Sequence, residues 1–131
     1  MSYEFNTTLQ AASFDEAVEK VRAVLMEEHL GVVSEVNVQA IFKSKMDKDI
    51  PPYRIFGACN PKLASDILDV EPNAGTLLPC NFIMYETTPG NVVVSFMDPV
   101  TVLALAQSDA AHEVGRVAKE KLLRVVAKLA A

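Results

Sequence analysis

Tyr3, Phe5, Thr7 and Leu9 alternate with Glu4, Asn6, Thr8 and Gln10, the period-two pattern of a strand with one dry face. The period then changes. Ser13, three residues before Glu16, makes a capping box. Phe14, Ala17, Val18, Val21, Val24 and Leu25 follow on one helical face, with Glu19, Lys20, Arg22 and Glu27 outside it. Gly31 is expected to end this helix as its left-handed residue. A second strand is expected over residues 32–36 and a short helix over 38–46, anchored by Ile41 and Phe42. Pro51 and Pro52 stop that helix. Residues 53–59 are apolar on both faces, including Ile55 and Phe56, which suits a strand inside a sheet.

Asn60 and Pro61 pair a capping side chain with a first-turn proline and open a helix to about residue 70. A turn is expected over 71–75, then a fourth strand over 80–87. Pro89, Gly90 and Asn91 connect it as a hairpin to a fifth strand over 92–97. Asp98 and Pro99 repeat the cap-plus-proline device before a short apolar helix. Ser108 or Asp109 opens the last helix, where Val114, Ala118, Leu122, Val125 and Leu129 share a face. The order β-α-β-α-β-α-β-β-α-α predicts a single α+β domain over residues 1–131, a mixed sheet of about five strands with helices mainly on one face. The fourth and fifth strands carry a second apolar face: Ile83 and Tyr85 oppose Phe82 and Met84, and Val93 and Met97 oppose Val92, Val94 and Phe96. If helices cover only one side, a symmetric second copy is the expected cover for the other, hence a homodimer.

Composition narrows the function classes. The 131 residues are half apolar, which excludes a disordered chain, and are enough to bury a core without a metal or disulfide. Twelve Lys and Arg against seventeen Asp and Glu give a net charge of −5. The densest basic stretch, Lys43, Lys45 and Lys48, is interrupted by Asp47 and Asp49, so no nucleic-acid partner is expected. No segment has the length and apolarity of a membrane span, and no secretory leader pattern precedes Tyr3. No membrane partner is expected, and the expected location is cytoplasmic.

Candidate chemistry centres on two cysteines, Cys59 and Cys80. Without an export signal a structural disulfide is a poor default. A parallel third and fourth strand would hold the two thiols at opposite ends; an antiparallel pair would bring them close. Cys59 immediately precedes a helix N-terminus, where backbone N–H groups favour a thiolate; as a small strand residue it can equally be core, and so can Cys80. His29 and His112 lie on different helices without a second ligand at a useful spacing, and no zinc motif is present, so no metal and no cofactor is expected. His29 suits a helix C-terminus, and His112 an exposed first turn. Glu86 on the fourth strand could face a pocket or solvent. No nucleophile elbow or phosphate-cradling loop occurs, so enzymatic activity has no direct motif support.

The run Gly57-Ala58-Cys59-Asn60-Pro61, then Ala64, Glu71-Pro72, Gly75, Leu78-Pro79-Cys80 and Asp98-Pro99 resembles a widespread prokaryotic family known as domain of unknown function three hundred and two. Phe14, Glu16, Ala17 and the Gly31-Val32-Val33 strand fit the same pattern, so the resemblance spans roughly residues 3–130. It implies a small α+β cytoplasmic protein that forms homodimers, and no assigned activity. The matching positions are Cys59, Asn60, Pro61, Pro79, Cys80, Asp98 and Pro99. Three functions are therefore open: a module binding a small ligand near Cys59, with Asn60, Pro61, Cys80 and Glu86 as candidate site residues; a thiol-dependent sulfur or persulfide carrier or redox sensor using Cys59; and an interaction protein whose cysteines are core.

Overall fold

The computed structural model describes residues 2–131. Strands β1 (Glu4–Gln10), β2 (Gly31–Asn37), β3 (Tyr53–Cys59), β4 (Cys80–Thr88) and β5 (Asn91–Met97) alternate with helices α1 (Phe14–Glu27), α2 (Val38–Met46), α3 (Pro61–Leu68), α4 (Pro99–Leu103) and α5 (Asp109–Ala130). The α+β class and the element order are as the sequence predicts. Ser13, Asn37, Asn60, Asp98 and Ser108 cap the five helices through their side chains, so each start is set by a local acceptor.

The strands form one sheet in the order β1-β5-β4-β3-β2. Every pairing is antiparallel, where a mixed sheet was expected. The reason lies in the connection between β3 and β4. It runs through α3 and a short 3-10 helix, Pro72–Leu77, in place of the simple turn expected over 71–75. This excursion stays at one end of the sheet, so β4 starts beside the end of β3, with Ala58 opposite Cys80, and runs back.

One sheet face carries the main core. Phe56, Phe82 and Phe96 form a row with ring centroids 4.8 and 5.3 Å apart, flanked by Ala58, Met84, Val92 and Val94. The buried stripe of α1 and the C-terminal half of α5, through Leu122, Val125 and Leu129, close over it. A second, smaller cluster joins Ile67 of α3 and Ala74 of the 3-10 helix to Leu103, Ala111 and Val114.

Two local expectations shift. His29, at φ 60°, takes the left-handed position expected of Gly31. The Leu30 N–H bonds back to the Leu25 carbonyl, which turns the chain early enough to bury Leu30, and Gly31 becomes the first residue of β2. Helix α2 has no buried residue, and Ile41, expected as an anchor, is 45% exposed.

Gly57 sits where a side chain cannot. A Cβ there would lie 2.4 Å from both Pro79 Cγ and Ser34 Oγ. The serine can rotate, but the proline ring is fixed by its own backbone. Gly57→Ala is expected to destabilise the fold by about 2 kcal/mol, as overpacked core sites do. Urea unfolding should then give a lower midpoint with an unchanged slope.

Candidate functional site

The end of β3 and the start of β4 meet the excursion that joins them. Asn60 follows Cys59 as the cap of α3: its Oδ1 accepts the Leu63 N–H at 3.1 Å. Its Nδ2 donates to the His29 carbonyl at 3.1 Å, tying the start of α3 to the turn after α1. Between α3 and the 3-10 helix the Glu71 carboxylate accepts the N–H groups of Gln107 and Ser108 at 3.0 and 2.8 Å. The Ser108 side chain first, and then these two N–H groups, hold its carboxyl below the usual carboxylate range. The excursion is thus clamped at two points on either side of α3, to the turn after α1 by an amide and to the start of α5 by a carboxylate.

Between these clamps lies a cavity of about 300 Å³. Ala58 and Cys59 of β3, Cys80 of β4, Ala64 and Ile67 of α3, Leu78 and Pro79 before β4, and Val114 and Ala118 of α5 line it. Leu30 and Val33 complete the side nearest β2. Val33 is the extra residue of a bulge between Val32 and Ser34, which leaves it 62% exposed at the rim.

Both cysteines are free thiols. The antiparallel pairing brings them to the same cavity, the outcome that the sequence left open. Burial, and secondarily the neighbouring Cys59, push the Cys80 thiol up to about 11, so it is neutral at physiological pH.

The other sequence candidates have structural places. Pro61 is the exposed first residue of α3 and does not line the cavity. Glu86 is near the far end of β4, where its carboxylate accepts the Gly90 N–H at 3.3 Å across the hairpin, and it is not part of this site. Asp98 caps α4 and pairs with Lys119 at 2.8 Å. Pro99 is buried, and its carbonyl lies 2.9 Å from where a Cβ on Gly115 would be, so it seats α4 on α5. His112 contacts the Ala106 carbonyl at 2.8 Å and is a helix-start residue. Among the described residues no group of three or more His, Cys, Asp or Glu could hold a metal ion. Nor is any helix among them long and apolar enough to cross a membrane.

Nothing in the sequence pattern marks Ile67, Val114 and Ala118 as site residues. Their periodicity reads as ordinary core, and only the packing leaves a gap between them.

With this geometry in hand, the model for the domain of unknown function DUF302 matches residues 5–129. The chain belongs to the DUF302 family. The crystal structure of an uncharacterized conserved DUF302 protein from Bacillus stearothermophilus superposes with a TM-score of 0.86 over 98% of this chain and 99% of that one, at 19% identity. That likeness concerns the DUF302 fold alone. Among curated proteins none matches.

The double use of Asn60 is open to test. Asn60→Ala should cost about 1 kcal/mol through the lost cap. Asn60→Asp keeps the acceptor for Leu63 but loses the donor to His29, so its urea midpoint should fall between those of wild type and Asn60→Ala.

Proposed function

We propose that this DUF302 chain is a cytoplasmic homodimeric module that binds a small ligand in the cavity beside Cys59 and Cys80. One observation carries the ligand: a cavity of about 300 Å³, of the size class that takes small molecules, opens where β3, β4, α3 and α5 converge with two thiols. Asn60 and Glu71 hold its walls from either side, so the site is preformed. Two free cysteines accord with a reducing compartment.

A neutral fluorophore that brightens in apolar surroundings, N-phenyl-1-naphthylamine, tests this reading. Wild type should bind it saturably at one site per chain. Ala64→Phe, which fills the cavity from α3, should lose at least about tenfold in affinity, equivalent to about 1.4 kcal/mol. Circular dichroism establishes that the variant is folded. Equal binding by wild type and variant would remove the cavity as the site.

The thiol-dependent reading has one observation behind it, that both thiols line the same cavity. The neutrality of Cys80 leaves Cys59 as its only candidate nucleophile. Native-state alkylation separates the two readings in the same samples. A ligand site is supported by slow alkylation that bound fluorophore slows further. A carrier or sensor is supported by rapid, selective modification of Cys59.

The homodimer rests on the sheet face opposite the core. Tyr53, Ile55, Ile83, Tyr85, Val93 and Met97 alternate with the core residues in the strand register and lie half-buried outside both core clusters. Glu4, Asn6, Asn81 and Ser95 rim them. From strand spacing and rise, five strands of seven residues present roughly 550 Å². Two copies face to face would bury roughly 1,100 Å², at the threshold for a specific interface. Helix α2, without a buried residue of its own and with Met46 64% exposed, adds apolar surface that a second copy can cover. Sedimentation at micromolar concentration should give a dimer of the 14.3 kDa chain. Ile83→Glu or Val93→Glu should convert it to a folded monomer, whereas a wild type that stays monomeric refutes the assembly.

A further inference from the structure

The chemistry of the cavity wall restricts what the proposed ligand can be. No Asp, Glu, Lys, Arg or His lines it. Its one amide side chain, Asn60, is engaged at both ends, by the Leu63 N–H and by the His29 carbonyl, and what it has left, one N–H and one lone pair, is uncharged. The remaining polar side chains are the two thiols, weak hydrogen-bonding groups that leave a buried ion unpaired. Leu68, 39% exposed, and the bulged Val33 put apolar side chains on the rim as well, so a ligand meets no charged side chain among the lining residues. Burial of Cys80 at this wall likewise disfavours its own anion.

We propose that the cavity, with about twice the room of a 150 Å³ benzene-binding cavity, selects an uncharged aliphatic or alicyclic molecule and rejects the carboxylate of the same length. This rests on the cavity being the ligand site. Burying an ion without a partner is far costlier than burying a hydroxyl, and no charged side chain on this wall supplies a counter-ion.

Displacement of bound N-phenyl-1-naphthylamine by two nine-carbon competitors, 1-nonanol and nonanoate at pH 8, tests the selectivity in the full chain. Nonanol should displace the fluorophore at a concentration at least about tenfold below nonanoate. Val33→Phe, placed at the exposed rim where the fold tolerates it, should weaken nonanol. If nonanoate comes within tenfold of nonanol, or neither displaces a fluorophore that does bind, the ligand class is wrong while the cavity reading stands. If wild type does not bind the fluorophore, or Val33→Phe and Ala64→Phe leave fluorophore and nonanol affinities unchanged, the cavity reading itself falls.

Discussion

Phe56, Phe82 and Phe96 stand side by side on three adjacent strands, and keeping that row dry is the constraint around which the molecule is arranged. All three are essentially fully buried. Aromatic residues dominate the energetics of a core of this size, and here they all point to one side of the sheet. Two long amphipathic helices are available to cover them, and both are spent on that side: α1 crosses from one edge strand to the other, and α5 lies over the row with its last turns. Glu28 locks the two helices together. Its carboxylate is 2.9 Å from Arg124 and 3.3 Å from Lys128, and its carbonyl accepts from Lys121. Arg124 in turn holds the Glu28 carboxyl below its ordinary range.

The N-terminal half of α5 extends past the sheet, and that geometry makes the cavity. Beyond the row of phenylalanines, α5 needs another apolar surface for Ala111 and Val114. The α3 excursion supplies it with Leu63, Ile67 and the 3-10 helix. Sheet and excursion are therefore two separate packings on one helix. The space between them is filled on the sheet side by Ala58, Cys59 and Cys80, all small side chains. Small residues at a junction of two cores leave volume, and the clamps at Asn60 and Glu71 keep the walls from collapsing into it.

Dedicating both long helices to one face leaves the opposite face with its own apolar centre and polar rim, and leaves α2 packed only partly, beside β3, with no fully buried residue. A helix of nine residues has little stability of its own in water, so α2 depends on its cap at Asn37 and on the left-handed stop at Asp47 for its shape. The open face, the half-buried helix and the apolar cavity are in this sense one consequence of how few elements a chain of this length can deploy.

Local chemistry was enough to place nearly every element from the residues alone. Capping side chains, prolines at helix starts and the change between periods of two and 3.6 act within a few residues, so Ser13, Asn60-Pro61 and Asp98-Pro99 mark their helices directly. Cys59, Asn60, Pro79 and Cys80 were visible as a motif for the same reason, since they flank the strand ends. Strand direction was not: whether the chain returns at the same end of the sheet depends on how α3 and the 3-10 helix pack on α5, more than forty residues further along. The left-handed residue moved from Gly31 to His29 because burying Leu30 outweighed the intrinsic preference of glycine. Glu86 left the site because antiparallel pairing carried it to the hairpin end. The cavity was beyond the reach of any sequence pattern, because it is a gap between side chains from β3, β4, α3 and α5, and a gap exists only once those elements have met.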